Sequence, residues 1–548
     1  MPEIFGGIMK SYFSLFRRLV QLSTLGLFIW LLSRAIWPLA ELPVDAFLRS
    51  DPLVALAVPL AAREFIAKLI PGLIVMASAL AAGRFFCGWL CPMGTTLDLA
   101  GIFFRRQTAA VKSHWPAQIK FMLLAFILAA AALGLDYSFW AAPIPLITRF
   151  YVIILHPAWL WSADMAVSHV LPLLPADKLE ALQYVSFAPR GYESVIFVGL
   201  FFLLLFLLEK LQPRFWCRNL CPAGALLAII SRRPLWRRRV KQCVSCSRCQ
   251  RECPAGAIST DGQSASHGDC LTCQKCVDVC PARGVSFRPQ STPLPFKILE
   301  SPPGKLHVSR RAFIGAAGLG LGVGWLHLKG FNLLPAPVDE FAAEAFAPQA
   351  LVRPPGALPE KDFLTRCVRC GECLKGCPTN GLQPVWPGLA GLFTPHLAAR
   401  KGPCEPDCNV CGQVCPTGAI APLNMAEKRW AKMGTAVVLP ETCLAWAGKC
   451  GCVICQEVCP YGAIELQVLP GRAGIPVPVV RPERCYGCGF CEYHCPVAAP
   501  AIVAKPLEAL RLNEGSYQAV ARAKGVELDL KKPVLEKPDS QSPSSFLE

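Results

Sequence analysis

The cysteines carry the chemistry of this chain. There are 29 among 548 residues, and most recur as C-x-x-C-x-x-C-x-x-x-C-P. Three thiols at i, i+3 and i+6 followed by a Cys-Pro make the ligand set of a ferredoxin-type [4Fe–4S] cluster. In a small secreted protein so many cysteines would suggest disulfides, but regular runs in a long chain do not fit that reading. Thiolate tetrads also suit zinc, yet this spacing fits a cubane far better.

Two runs stand together: Cys243, Cys246, Cys249 and Cys253-Pro254, then Cys270, Cys273, Cys276 and Cys280-Pro281. In the two-cluster bacterial ferredoxin pattern the fourth cysteine of each run ligates the other cluster. One cluster is therefore expected on Cys243, Cys246, Cys249 and Cys280, the other on Cys270, Cys273, Cys276 and Cys253. Four further runs follow: Cys367, Cys370, Cys373 and Cys377; Cys404, Cys408, Cys411 and Cys415; Cys443, Cys452, Cys455 and Cys459, with a long first gap; and Cys485, Cys488, Cys491 and Cys495. They imply four more clusters, about six in all; pairwise exchange of fourth cysteines is expected, but spacing does not give the pairs. Cys450 is left over, as a free thiol or an alternative to Cys452.

Four cysteines lie apart in a repeat. Phe86-Cys87-Gly88-Trp89-Leu90-Cys91-Pro92-Met93-Gly94 recurs as Trp216-Cys217-Arg218-Asn219-Leu220-Cys221-Pro222-Ala223-Gly224. Two matching C-x-x-x-C-P motifs allow three readings: a shared metal or cluster site on Cys87, Cys91, Cys217 and Cys221, a redox-active dithiol, or a structural helix-terminating motif with the proline as stop.

These ligands need elements to position them. Hydrophobic residues make up 53% of the chain, charged residues 17%, and mean hydropathy is +0.39, too apolar for an ordinary soluble protein. Apolar stretches near 19–40, 69–90, 119–140 and 193–211 read as four membrane spans. Lys10, Arg17 and Arg18 precede the first; Arg105, Arg106, Lys112 and Lys120 separate the second from the third; a basic stretch from Lys210 to Lys241 follows the fourth. Positive residues collect on the cytoplasmic side, so both ends of this unit face inward. The connection at 141–190 reads as an extracytoplasmic interfacial loop, its tryptophans a headgroup belt or the wall of a quinone pocket. The net charge of +17 thus reflects membrane orientation, and no nucleic acid is expected.

Ser309-Arg310-Arg311-Ala312-Phe313-Ile314, followed by a Gly-rich apolar run to about Leu328, has the shape of a twin-arginine export signal. Clusters are inserted in the cytoplasm, so a domain holding them must cross already folded. Residues 312–328 would be a fifth span; the alternative is a soluble Gly-rich helix or loop that leaves the remainder cytoplasmic. The expected fold is a membrane α-helical bundle of four spans plus a fifth, with α+β bacterial-type ferredoxin domains. Its parts are a four-helix membrane domain (1–232), a cytoplasmic 2[4Fe–4S] domain (233–290), a linker with twin-arginine motif and fifth span (291–345), a four-cluster ferredoxin-like domain (346–505) and a disordered tail (506–548).

On these motifs the first part resembles the H-type membrane subunit of the periplasmic nitrate reductase quinol dehydrogenase, and the part from Ser309 onward resembles its G-type ferredoxin partner. Similar ferredoxin pairs serve methylamine utilisation. The chain looks like a fusion of the two. The resemblance implies a multi-pass protein of the bacterial inner membrane, in the lipid bilayer, with the first ferredoxin domain cytoplasmic and the second periplasmic. It would take electrons from the membrane quinone pool, with quinone as substrate, and pass them through six [4Fe–4S] clusters, or seven centres with the C-x-x-x-C-P site, to an extracytoplasmic cytochrome or reductase. No catalytic residue is assigned. The rival is a maturation or regulatory membrane ferredoxin that reduces metal or thiols while another redox enzyme is assembled.

Overall fold

The computed structural model describes residues 2–39, 42–104, 115–170, 190–241, 243–289, 309–329, 351–386, 391–468 and 474–528. The amino-terminal unit is helical: α1 (Pro2–Arg34), α2 (Pro52–Ala62), α3 (Ile70–Ala82), α4 (Phe85–Trp89), α5 (Pro92–Phe103), α6 (Trp115–Ala132), α7 (Pro143–Phe150), α8 (His156–Met165), α9 (Val195–Leu208) and α10 (Pro222–Ile230). Proline sits in the first turn of α2, α3, α5, α7, α8 and α10, where its missing N–H costs nothing and its fixed φ favours the helix. Asp51 joins two of these starts, accepting from Leu53 and Val54 of α2 and from Ile144 of α7.

Three stretches are long and apolar enough to cross a membrane by length and composition: Phe13–Arg34, Phe85–Phe103 and Pro143–His169. Only the first coincides with an expected span. Those expected near 69–90, 119–140 and 193–211 fall on the shorter apolar helices Ala67–Ala82, Ala117–Ala132 and Val195–Leu208. At 1.5 Å per residue, 10–17 residues reach roughly 15–26 Å, short of a hydrocarbon core of about 30 Å. Gly83 (φ +69) and Gly134 (φ +89) follow the ends of α3 and α6 in conformations that stop a helix. The expected loop at 141–190 is helical over Pro143–His169, with a π-helical turn at Tyr151–Leu155 linking α7 and α8; residues 171–189 lie outside the described residues.

The twin-arginine segment forms α11 (Arg310–Leu328). It packs along α6 through small residues: a Cβ at Gly320 would meet the Phe126 carbonyl at 2.5 Å, and one at Gly324 would meet Leu133 at 2.6 Å. Both helices advance in the same direction through this contact.

The first ferredoxin region is closed by β1 (Trp236–Val240) against β2 (Val285–Pro289), antiparallel. In the second, β3 (Leu382–Pro384) pairs with β4 (Pro395–Leu397), β5 (Thr435–Val438) with β8 (Ile502–Lys505), and β6 (Ile464–Gln467) with β7 (Val477–Val480). Before them lies α12 (Glu360–Arg366) and after them α13 (Tyr517–Ala523). The tail expected from 506 is therefore structured to 528: Leu510, Tyr517, Ala521, Val526 and Leu528 join the core of this region, and Glu427 accepts from Ser516 Oγ at 2.7 Å as α13 begins.

The two regions dock at opposite ends of the helices. At one end Lys120 meets Asp269 at 2.6 Å and Trp89 Nε1 donates to Thr272 O at 3.4 Å. At the other, Lys375 Nζ donates to the Ser33 and Ala35 carbonyls at 2.9 and 3.2 Å, Lys68 reaches Cys415 O, and Arg366 pairs with Glu64. Gln21 of α1 donates to Gly88 O at the first end. From Gln21 to Ser33 the helix rises roughly 18 Å. Val368, Leu374 and Phe393 of the second region belong to the same apolar core as the helices.

Candidate iron–sulfur centres

Two cavities in the second region are walled by cysteines. Cys367, Cys370 and Cys373 line the first together with Cys415, among Val368, Leu374, Phe393 and Ile420. Cys443, Cys452 and Cys455 line the second together with Cys495, among Val438, Pro478 and Ile502. They are alike in size, with about 390 and 380 Å³ of empty space when the solvent at their mouths is included. The remaining thiols complete the exchange: Cys377 neighbours Cys404, Cys408 and Cys411, and Cys459 neighbours Cys485, Cys488 and Cys491. Each Cys-Pro thus joins its neighbour's run, first with second and third with fourth. Cys450 is exposed, whereas Cys443 is buried and lines the cavity.

Local backbone aims the thiols. In the first region Ser247 and Gln274 adopt left-handed φ of 52° and 55° before the third cysteine of each run, turning it back toward the first two. After the Cys-Pro, backbone amides return to sulfur: Ala257 N to Cys253 Sγ at 3.4 Å, Ala463 N to Cys459 Sγ at 3.3 Å, and Ala501 N to Cys495 Sγ at 3.4 Å. Such bonds stabilise thiolate and help set a cluster's potential. Burial pushes the Cys367 and Cys404 thiols up to about 11. Bare, they would stay protonated and inert at neutral pH; bound iron would supply the positive charge that makes buried thiolates sensible. Among the described residues no three Cys, His, Asp or Glu side chains gather as a single-ion site. The thiols ring larger spaces, as a polynuclear cluster requires.

In the first region Cys253 neighbours Cys270 and Cys273, and Cys276 neighbours Cys273 and Cys253. Cys243 and Cys249 both flank Gly262, at 3.6 Å from its Cβ position, and the Arg238 guanidinium lies 3.8 Å from Cys249 Sγ. Cys280 packs in the same small core as Cys249 and Cys276, while Cys246 is exposed. At the second docking end, burial and the nearby Arg190 pull the Lys375 ammonium down to about 7, against the pull of Glu372.

The four cysteines of the repeat also converge: Cys91 neighbours Cys87 and Cys217, and Cys221 neighbours Cys217 and Cys87. Cys91 N bonds Phe86 O and Cys221 N bonds Trp216 O, each at 2.9 Å, and Pro92 and Pro222 open α5 and α10. The proline therefore starts the next helix as much as it stops the previous one. Two arginines cross between the halves: Arg214 Nη1 donates to Cys87 O at 2.8 Å and Arg84 Nη2 to Cys217 O at 3.4 Å. Sequence reasoning passed over them, although the repeat extends upstream to Arg84-Phe85 and Arg214-Phe215.

Residues 66–108 and 191–241, one C-x-x-x-C-P motif in each, match a 4Fe-4S binding domain family. Residues 235–290 and 448–499 match 4Fe-4S dicluster domain families. The methylamine utilization ferredoxin-type protein MauM of Methylophilus methylotrophus is 41% identical over 179 residues, 32% of this chain and 78% of that one. MauM of Paracoccus denitrificans is 39% identical over 214 residues, 37% of this chain and 90% of its own. The chain belongs to the MauM/NapG family of ferredoxin-type proteins. NapG of Escherichia coli K12, at 38% over 175 residues, covers 30% of this chain and 75% of its own length. Family membership and the three domain matches make the protein an iron–sulfur electron-transfer protein with multiple [4Fe–4S] clusters.

Proposed function

We propose that the chain is a membrane electron conduit of the quinol-dehydrogenase type, an H-type membrane unit fused to a G-type ferredoxin in the bacterial inner membrane. It takes electrons from quinol and passes them through six [4Fe–4S] clusters to an extracytoplasmic redox partner. Cys243, Cys246, Cys249 and Cys280 hold one cluster, and Cys253, Cys270, Cys273 and Cys276 the next. In the second region the sets are Cys367/Cys370/Cys373/Cys415, Cys377/Cys404/Cys408/Cys411, Cys443/Cys452/Cys455/Cys495 and Cys459/Cys485/Cys488/Cys491. Cys87, Cys91, Cys217 and Cys221 form an additional metal or cluster site.

The docking of the two ferredoxin regions at opposite ends of the same helices carries this reading. Such an arrangement suits carriers on two sides of a bilayer, which α1 is long and apolar enough to cross. The course of α11 supports it: running with α6, it starts with Arg310 and Arg311 toward the first region and leads toward the second. The relatives do not favour the maturation alternative.

Anaerobic purification in detergent, iron and sulfide analysis, and EPR before and after adding a quinol test the proposal. About 24 irons with quinol-dependent cluster reduction are expected, and about 28 if the additional site holds a cluster. Intact clusters that ignore quinol overturn the quinol reading.

A further inference from the structure

The two halves of the repeat align at an offset that pairs Arg84 with Arg214, Cys87 with Cys217, Cys91 with Cys221, Gly94 with Gly224 and Asp98 with Ala228. In the structure this correspondence is reciprocal. Each arginine bonds the carbonyl of the opposite half's first cysteine and lies over the opposite half's glycine: a Cβ at Gly94 would meet Arg214 at 3.3 Å, and one at Gly224 would meet Arg84 at 2.4 Å. Arg214 is then held by Asp98, with Oδ2 2.7 Å from Nη2 and Oδ1 3.0 Å from Nε. The matching carboxylate for Arg84 is missing from its place, because position 228 is alanine.

The first ferredoxin region fills that place. Gly268 lies on Ala228, where a Cβ would meet the Ala228 carbonyl at 2.6 Å, and the next residue, Asp269, stands 3.7 Å from Arg84 and 2.6 Å from Lys120. The other break in symmetry faces the same region. Gly88 admits Leu271, whose carbonyl is 2.5 Å from the Cβ position, while its counterpart Arg218 reaches over to Gly256. The repeat departs from symmetry where the ferredoxin region docks.

We infer that Asp269 is a positioning residue for the four-cysteine site: it supplies in trans the carboxylate that the second half of the repeat lacks, so that docking of the ferredoxin region completes the arginine brace around Cys87, Cys91, Cys217 and Cys221. The inference rests on the proposal that these cysteines form one site. Losing the brace makes that site open more often, and opening exposes its thiols.

The test uses the full chain, purified anaerobically in detergent and labelled with N-ethylmaleimide, with peptide mass spectrometry reading each cysteine. Asp269→Asn is expected to label Cys217 and Cys221 about tenfold faster than wild type with iron in the ferredoxin runs unchanged, and Asp269→Glu to stay near wild type. Adding Ala228→Asp to Asp269→Asn returns the carboxylate in cis and restores slow labelling, which a general packing defect would not allow. Equal rates in Asp269→Asn and wild type overturn the inference, as does a double variant no slower than Asp269→Asn. Should Asp269→Asn lose ferredoxin iron, Asp98→Asn provides the comparison: by symmetry it must also speed labelling of the quartet, and failure to do so overturns the brace. Full alkylation of the quartet in wild type while the ferredoxin cysteines stayed protected would mean that no metal shields these thiols. That outcome removes the site reading, and the ratio of variant rates still decides the role of Asp269.

Discussion

Pairs of cysteine substitutions distinguish exchanged from run-wise ligation in the second ferredoxin region. Cys415 lies in the sequence with Cys404, Cys408 and Cys411, but in space it lines a cavity with Cys367, Cys370 and Cys373, and those three partners of its own run neighbour Cys377 instead. Two ligands of one cluster cannot lose that cluster twice, so substitutions at the same cavity are non-additive and substitutions at different cavities add. Cys367→Ala, Cys415→Ala and their combination should therefore each lose about four irons per chain, whereas Cys404→Ala with Cys415→Ala should lose about eight. Iron and acid-labile sulfide are measured per mole of chain after anaerobic purification, alongside wild type and the single variants. Run-wise ligation demands the reverse, with about eight irons lost in the first combination and about four in the second, and that pattern would refute the exchange.

Three more outcomes follow from particular contacts. Cys443→Ser should lose about four irons and Cys450→Ser none, since Cys443 lines the cavity with Cys452 and Cys455 while Cys450 is exposed; equal losses would contradict the assignment. Lys375→Met removes the donor to the Ser33 and Ala35 carbonyls and should weaken docking of the second region by about 2–5 kcal/mol, seen as faster limited proteolysis between the regions. Burial, aided by Arg353, lowers His396 from 6.5 to about 4. The unfolded chain then takes up the proton first, so this stabilisation is complete above pH 6.5 and is lost as pH falls toward 4, by at most about 3 kcal/mol. His396→Gln should flatten that part of the acid limb in denaturant melts, and a limb identical to wild type would refute the burial argument.

The cysteine runs were legible because their spacing is local, and a left-handed residue such as Ser247 or Gln274 is enough to fold three thiols toward one point. That fourth cysteines exchange was expected, but which runs pair in the second region was not legible. For the third and fourth runs it depends on β8 returning past β6 and β7 to pair with β5, a contact between segments more than sixty residues apart in sequence. Helix lengths were overestimated where apolar composition runs past a stop such as Gly83 or Gly134. The tail misled for a different reason: between 506 and 528 the apolar residues are interspersed with charged ones, and tertiary packing of Leu510, Tyr517 and Val526 makes them core. Arg84 and Arg214 were visible in the repeat but resemble any basic residue at a helix end until the structure crosses them.

The four converging cysteines of the repeat lie among groups that link the two ferredoxin regions through the helices. On one side Arg214, which bonds Cys87 O, is also within electrostatic reach of Cys273 in the first ferredoxin region. On the other, Cys91 lies within reach of Asp51, whose carboxylate ties together the starts of α2 and α7. α2 in turn packs on α12, which ends at Arg366, the residue before Cys367. A continuous line of packed and charged groups therefore runs from a predicted cluster ligand at one end of the helices to another at the opposite end, and the quartet sits along it. Gly88, inside the first motif, accepts from Gln21, so the quartet lies toward the first docking end and the roughly 18 Å of helix from Gln21 to Ser33 separates it from the second. Chains lacking the quartet cysteines but retaining their ferredoxin iron test its part in the proposed route: quinol should then reduce the two ferredoxin regions unequally, and reduction of both as in wild type would remove the quartet from that route.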